Sequence, residues 1–75
     1  MERVEIGSQT TVRLSNGITR ELRIGMAHES DPDLGIISCL SPIGKALIGK
    51  KAGEIVVYFV GNKKLRARII AISNN

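Results

Sequence analysis

The sequence predicts an α+β domain in which a curved antiparallel sheet of about five strands packs around one short helix. Three observations carry this prediction: five short segments rich in β-branched residues, two glycine-containing turns that join pairs of these segments, and a single Ser-Pro helix start. The 75 residues are enough for one domain, residues 1–75. Because chain ends are commonly frayed, residues 1–5 and 73–75 are expected to be flexible.

The first two strands are predicted to form a hairpin. Residues 6–14 contain the first strand, with β-branched side chains concentrated in residues 10–14. Residues 18–24 form the second strand, whose alternation of apolar and polar side chains indicates one covered and one solvent-facing side. Between the two strands, Asn16-Gly17 is a strong hairpin signal because both residues accept positive φ.

A loop and a third, short strand are predicted next. Residues 25–35 contain a proline and clustered aspartates, which break regular structure. Residues 35–40 are then typical of a short strand because they are mostly apolar and contain two adjacent isoleucines.

The helix is predicted to begin at Ser41-Pro42. Serine can accept a hydrogen bond from a free backbone N–H at a helix start, and proline suits the first helical position. Gly49 is placed to end the helix, which leaves only about two turns. So short a helix has to be held by packing against the sheet. The side chains available for this form a stripe at i, i+3, i+4 spacing: Ile43, Ala46 and Leu47.

The last two strands are predicted to form a second hairpin around Gly61-Asn62. Residues 54–60 are apolar on both sides, which favours a central position in the sheet. Residues 65–72 form the closing strand. Its apolar side chains are expected to share one face: Leu65, Ala67, Ile69 and Ala71.

Composition limits the function classes. The formal net charge is +4, which mildly favours anionic partners. Cys39 is the only cysteine, so no internal disulfide can form, which suits a reducing cytoplasm. No apolar run approaches the roughly 20 residues of a membrane span. Tyr58 and Phe59 are the only aromatic residues, which counts against functions built on aromatic pockets or base stacking.

The segment around the predicted helix resembles the signature of the C-terminal domain of the bacterial transcript-cleavage factors GreA and GreB. That signature has Ile-Ser, two variable residues, Ser-Pro and a run that ends in Ile-Gly-Lys; here these are Ile37-Ser38, Ser41-Pro42 and Ile48 to Lys50. The resemblance extends over roughly residues 7–72, and its flanks are less specific than its centre. The family usually has Pro-Gly-Gly at the last turn, where this chain has Val60-Gly61-Asn62.

The resemblance implies an FKBP-like fold and a role in docking on RNA polymerase, at the rim of its secondary channel. By position, the segment that would make this contact consists of Ser38, Cys39, Leu40, Ser41, Pro42 and Ile43. Leu40 departs from the polar or acidic residue that is common there. If that residue pairs with a basic group on polymerase, Leu40 weakens or retargets the contact.

The family's cleavage chemistry depends on an N-terminal antiparallel coiled coil with an acidic tip, and these 75 residues show no heptads. We therefore expect no enzymatic activity from this chain alone, with no catalytic residue, cofactor or metal site. His28, Glu29, Asp31 and Asp33 could form a metal site, but a solvated turn is the better account. A nucleophilic pair of Cys39 with His28 is a weaker alternative still, since the two are far apart in the sequence.

Two other functions stay open. A nucleic-acid-binding face could be built from basic residues of the sheet: Arg13, Arg23, Arg66, Arg68, Lys63 and Lys64. FKBP-like domains also include peptidyl-prolyl isomerases, which use an aromatic-rich pocket. Tyr58 and Phe59 are adjacent on one strand, so they are expected to point to opposite faces and not to line a pocket together.

Overall fold

The structure is a computed structural model and describes residues 2–74. Its five strands are β1 (Gln9–Leu14), β2 (Thr19–Gly25), β3 (Ile36–Ser38), β4 (Ile55–Val60) and β5 (Lys63–Ser73). One helix, α1 (Pro42–Leu47), lies between β3 and β4, and two short 3-10 turns (Ala27–Glu29 and Pro32–Leu34) lie between β2 and β3. The strands form a single curved sheet in the order β3-β2-β1-β5-β4. The predicted fold class is therefore confirmed.

The sheet is mixed, although an antiparallel sheet was expected. β1, β2, β4 and β5 pair antiparallel, whereas β3 runs parallel to β2, with Ile24 beside Ile37. A parallel neighbour requires a connection that carries the chain back along the sheet. The segment between β2 and β3 does this with its two 3-10 turns, and Gly35 at φ 74° ends the second of them. The predicted loop is thus a structured crossover.

Both hairpins form where the sequence predicts them, and a glycine lies in each turn. Gly17 has a φ of 85°, and no residue other than glycine has a positive φ in the described chain. The Leu14 N–H donates to the Ile18 carbonyl at 2.8 Å, which closes a three-residue loop of Ser15, Asn16 and Gly17. Gly61, with a φ of 60°, sits in the tight turn between Val60 and Lys63.

The core lies between the inner face of the sheet and α1. Its buried hydrophobic side chains are Val4, Val12, Leu22, Ile24, Leu47, Val56, Ala67 and Ile69. Ile43 and Ala46, the other members of the predicted helix stripe, pack against this cluster while remaining partly exposed. Leu47 is fully buried and therefore anchors α1 to the sheet.

β4 lies at an edge of the sheet, so the central position predicted for residues 54–60 is wrong. Val56 is buried and Tyr58 half-buried on the inner side. The outer side carries Ile55, Val57 and Phe59, which are 55%, 43% and 56% exposed. The two-sided apolar pattern therefore reflects one side that packs on the core and another that stays in contact with solvent.

A β-bulge changes which residues of β5 face the core. Thr11 pairs with Ala71 and the next residue, Val12, pairs with Ile69, so Ile70 is an extra residue in β5. An extra residue shifts the alternation of side chains by one position. As a result Ala71 is exposed, contrary to expectation, and Ile72 packs against the core in its place.

Residues near both chain ends make hydrogen bonds to other parts of the chain. Val4 is buried, its N–H donates to the Lys50 carbonyl at 2.9 Å, and its carbonyl accepts from the Gly49 N–H at 2.8 Å. At the other end, the Asn74 side chain donates to the Arg3 carbonyl at 3.1 Å. The expected flexibility of residues 1–5 and 73–75 stays a prediction. Met1 and Asn75 lie outside the described residues.

Thr10 offers a test of core packing. Its side chain is fully buried between Leu22 and Ile72, and its hydroxyl oxygen has no hydrogen-bond partner within residues 2–74. Leaving a buried hydroxyl unpaired costs about 1–3 kcal/mol. We expect Thr10→Val, which keeps the shape, to raise the free energy of unfolding by about 1 kcal/mol and the melting temperature by about 4–8 °C. Thermal unfolding followed by circular dichroism checks this, and a lower midpoint for the valine variant would contradict it.

Candidate functional site

The corner, residues 38–43, is the turn that joins β3 to α1, and it contains every residue of the predicted docking segment. Leu40 is 63% exposed and Pro42 is also exposed, whereas Ser38, Cys39, Ser41 and Ile43 are partly buried. The side chains at the tip therefore face solvent, and those at the base hold the turn against the domain. The structure brings all six predicted residues together on one surface.

Two serine side chains fix the shape of the corner. The Ser41 hydroxyl accepts a hydrogen bond from the Gly44 N–H at 3.1 Å, which caps α1, and it donates to the Ser38 carbonyl at 2.7 Å. The Ser38 hydroxyl in turn accepts from the Leu40 N–H at 3.0 Å. Each serine thus satisfies a backbone group that a turn would otherwise leave to water. The predicted N-cap role of Ser41 is confirmed.

The base of the corner is also held by its backbone. The Cys39 N–H donates to the Gly25 carbonyl at 2.9 Å, which continues the parallel pairing of β3 with β2. A Cβ atom on Gly44, which is buried, would clash with the Ser38 carbonyl oxygen. The first turn of α1 can therefore lie directly against the end of β3.

An apolar hollow adjoins the corner. It measures about 650 Å³ and is lined by Glu5, Ile6, Cys39, Lys45 and Ile48. Ile6 is 51% and Ile48 37% exposed, so much of the lining is hydrocarbon in contact with water. Together with the tip, the hollow forms a largely apolar surface, and the charged residues Glu5 and Lys45 also line the hollow. Such an apolar surface can bind another protein. The hydroxyls of Ser38 and Ser41 already make hydrogen bonds to the backbone of the corner.

Comparison with known proteins places this geometry in a family. The family model described as "Transcription elongation factor, GreA/GreB, C-term" matches residues 1–74. The chain belongs to the GreA/GreB family and corresponds to its C-terminal domain. The resemblance drawn from the corner and helix sequence is thereby confirmed, and the domain is a module of proteins that regulate transcription elongation.

Relatives and solved structures agree with this assignment. The transcription elongation factor GreA of Thermomicrobium roseum is 42% identical over 69 residues, which are 92% of this chain and 44% of that protein. GreA of Mesoplasma florum is 48% identical over 54 residues, 71% of this chain and 35% of that protein. The crystal structure of GreA factor homolog 1 (Gfh1) of Thermus thermophilus superposes with a TM-score of 0.82 at 27% identity, covering 96% of this chain and 49% of that one.

A GreA/GreB elongation factor from Nitrosomonas europaea also superposes, with a TM-score of 0.74 at 26% identity, over 93% of this chain and 59% of that one. The chain therefore spans about half the length of relatives such as the Thermomicrobium roseum GreA and Gfh1.

The residues considered for a metal site are not gathered into one in this Gre domain. Within residues 2–74, no group of three or more His, Cys, Asp and Glu side chains is close enough to hold a metal ion. His28 and Glu29 lie in the first 3-10 turn, where the Glu29 carboxylate accepts from the Met26 N–H at 2.8 Å. That carboxylate therefore stabilises the crossover between β2 and β3.

Within residues 2–74, no helix is long and apolar enough to cross a membrane.

The basic residues of the sheet divide between its two faces. Arg13, Arg66, Arg68 and Lys64 lie on the outer side of β1 and β5, while Arg23 lies on the outer side of β2, beside Gln9. Lys63 alternates with Lys64 and so lies on the inner side. Five of the six residues considered for a nucleic-acid face therefore share the outer side, and four of them lie on the neighbouring strands β1 and β5.

The two aromatic residues lie on opposite faces of β4, as predicted. Tyr58 is half-buried on the inner side and Phe59 is exposed on the outer side. Their rings therefore do not line a common pocket. Sequence reasoning missed that Phe59 belongs to an exposed apolar row beside the basic residues of β5. The two-sided apolar pattern of residues 54–60 contains this row, but the same pattern also predicts a strand that is buried on both sides.

Proposed function

We propose that this Gre domain docks on RNA polymerase through the corner, at the rim of the secondary channel, and positions a larger assembly in the cytoplasm without contributing chemistry of its own. The observation that carries the proposal is the combination of exposure and rigidity at residues 38–43. Leu40 and Pro42 are exposed on a turn that hydrogen bonds of two serine side chains hold in place. Gly44 contributes because it has no Cβ atom, which would clash with the Ser38 carbonyl oxygen. Family membership supports polymerase as the partner.

Rigidity matters because binding a mobile turn costs conformational entropy. Ordering a flexible side chain at an interface costs about 0.5–1.5 kcal/mol, and a turn that is already ordered avoids much of that cost for its backbone. The hollow beside the corner adds apolar surface from Ile6 and Ile48, in separate segments of the chain. Docking would therefore bury one continuous apolar area whose shape exists before the partner arrives.

The hydrogen bonds of the serine hydroxyls in the corner support a docking role without catalysis. The hydroxyls of Ser38 and Ser41 bond to the backbone of the same turn. Neither has a neighbouring base within its hydrogen bonds, which is what activates a serine nucleophile. These two serines thus stabilise the turn, and the exposed hydrocarbon of Leu40 and Pro42 makes the contact.

Pro42→Ala tests the contact with little effect on the fold. Pro42 occupies the first helical position, where alanine is also well tolerated. We expect the variant to keep its thermal midpoint but to bind core RNA polymerase about three- to ten-fold more weakly in a quantitative pull-down, because an exposed apolar ring is removed from the interface. Pro32→Ala is the matched control, since Pro32 is also exposed and also begins a helical turn. It should bind as the unmodified chain does.

Ser41→Ala provides a second variant at the same site. Loss of an N-cap costs about 1 kcal/mol, and here it also frees the Ser38 carbonyl. Binding should fall because the corner loses its fixed shape, and Ser41→Thr should restore most of it. If Pro42→Ala and Ser41→Ala both bind polymerase normally, the corner is not the docking site, and the partner must be contacted elsewhere.

A further inference from the structure

The outer face of β4 and β5 carries two parallel rows of side chains that the docking role does not use. Antiparallel partners point to the same side of a sheet, so the register sets the rows side by side. The pairs are Ile55 with Arg68, Val57 with Arg66, and Phe59 with Lys64. We call these six residues the outer strip. It presents an apolar row along the edge strand and a basic row along its neighbour.

The basic row is not neutralised within the sheet. On its other side Arg68 pairs with Arg13, so two guanidinium groups lie directly across from each other. Like charges in such a pair repel and destabilise the sheet. The strand register places no acidic residue beside Arg66, Arg68 or Lys64. The positive charge of this face is therefore available to an outside anion.

A groove lies at one end of the strip, with lining residues from β5, from β4 and from the end of β1. It has a volume of about 350 Å³ and is lined by Arg13, Leu14, Ser15, Ile55, Arg66 and Arg68. The three guanidinium groups of the groove suit a carboxylate, because arginine can donate two parallel hydrogen bonds to a carboxylate. The apolar part of the groove suits the methylene groups of an acidic side chain. An acidic side chain that enters the groove would also relieve the repulsion between Arg13 and Arg68.

We infer that the outer strip binds an acidic amphipathic helix of another protein. Successive residues of one row are about 6.7 Å apart and neighbouring strands about 4.8 Å apart. On a helix, residues four apart are separated by about 6 Å along the axis, and ridges i and i+3 lie about 5–6 Å apart. A helix with an acidic ridge beside an apolar ridge therefore matches both rows at once.

The same surface fits other occupants less well. A single-stranded nucleic acid needs several aromatic rings for stacking, and Phe59 is the only one on the strip. Val57 and Ile55 would be desolvated by a phosphate backbone without gaining a partner. A second copy of this chain would bring a further net charge of +4 and place one basic row against another. The strip and the corner lie on different surfaces, since α1 packs on the inner side of the sheet.

The test uses a fluorescein-labelled helical peptide that carries Glu at positions i, i+4 and i+8 and Leu at i+3, i+7 and i+11. Its affinity is measured by fluorescence anisotropy at low and physiological salt. We expect Arg68→Gln to weaken binding at least about five-fold, because it removes a charged donor from the lining of the groove. Arg20→Gln is the control: Arg20 is exposed on the inner side of β2, and the loss of charge is the same. It should change affinity less than about two-fold.

Two further comparisons test the contributions of the apolar row and of the peptide's carboxylates to binding. Val57→Ser should weaken the peptide by removing part of the apolar row, and a peptide with Gln in place of each Glu should bind poorly to the unmodified domain. Arg68→Gln is expected to keep or raise the thermal midpoint, since it removes a like-charge pair, so lost binding would not reflect unfolding.

Three results would overturn the inference. They are no measurable binding of the acidic peptide, equal loss with Arg68→Gln and Arg20→Gln, and equal affinity for the Glu and Gln peptides. A fifteen-nucleotide oligo-dT strand provides the remaining comparison. If it binds more tightly than the peptide and depends on Arg68, the strip is a nucleic-acid face and the protein partner is wrong.

Discussion

Replacing Leu47 with alanine is expected to lower the free energy of unfolding by about 2–5 kcal/mol, the cost of deleting a fully buried leucine side chain. A domain of this size has a total stability of only several kcal/mol, at about 0.05–0.15 kcal/mol per residue. The variant should therefore be substantially unfolded at physiological temperature. Urea unfolding followed by circular dichroism measures the change.

The size of this effect follows from how α1 is held. The helix has six residues, and helices shorter than about 12 residues are unstable alone in water. Its stability comes from the contact of Leu47 with the sheet. Ile48→Ala is the matched control because Ile48 is the next residue and is 37% exposed. We expect it to cost far less, and similar losses for the two variants would show that Leu47 is not the anchor.

Polymerase binding should fall together with the fold in Leu47→Ala. The corner includes the first two residues of α1, and the Ser41 cap exists only while the first turn of the helix is formed. This coupling means that a binding defect at the corner has to be interpreted alongside a stability measurement. Pro42→Ala and Leu47→Ala separate the two contributions, since the first should leave the fold intact.

Local signals made much of the fold predictable. The helix start at Ser41-Pro42 and the turn at Gly61 depend on residues next to one another in the sequence, and both appear where predicted. The position of β4 in the sheet depends on which elements lie beside it. The residues of β4 alone do not determine those neighbours. An apolar side chain such as Val57 looks the same in the sequence whether a neighbouring layer covers it or not.

Long-range register explains the other differences. The bulge at Ile70 is an extra residue relative to β1, and only the pairing of two distant segments reveals it. Val4 is buried because the chain beyond α1 runs beside it, so the order of the N-terminal segment could not be read from its own residues. Turn chemistry is encoded nearby, whereas strand neighbours are set by the whole chain.

The candidate site divides in the same way. The cap at Ser41 could be derived from two adjacent residues, and the resemblance supplied the rest of the corner. The hollow requires Ile6 and Ile48 to meet across the fold, and the outer strip requires β4 to pair with β5 in one register. Neither surface has a motif of its own. Both became visible only when segments that are far apart in the sequence were brought together.

Leu40→Ser is expected to weaken polymerase binding about ten-fold without changing stability. Leu40 is 63% exposed at the tip of the corner, and burying a leucine side chain at an interface is worth about 1.5–3 kcal/mol. Leu34→Ser is the matched control, because Leu34 is 73% exposed and lies in the second 3-10 turn, outside the corner. Titration of core RNA polymerase with each labelled variant gives the affinities. Equal affinities for the two variants would contradict an apolar contact at Leu40.

The direction of change at Leu40→Asp distinguishes two ways in which the corner can meet its partner. If the contact is apolar, a carboxylate at the tip must be desolvated without a partner, and binding should fall further than with serine. If polymerase presents a basic group there, aspartate should gain a charge-assisted hydrogen bond and bind more tightly than leucine. The hollow of Ile6, Cys39 and Ile48 beside Leu40 favours the first outcome. We therefore expect affinity to decrease in the order Leu, Ser, Asp at position 40, and a reversed order would show that the tip meets a basic group.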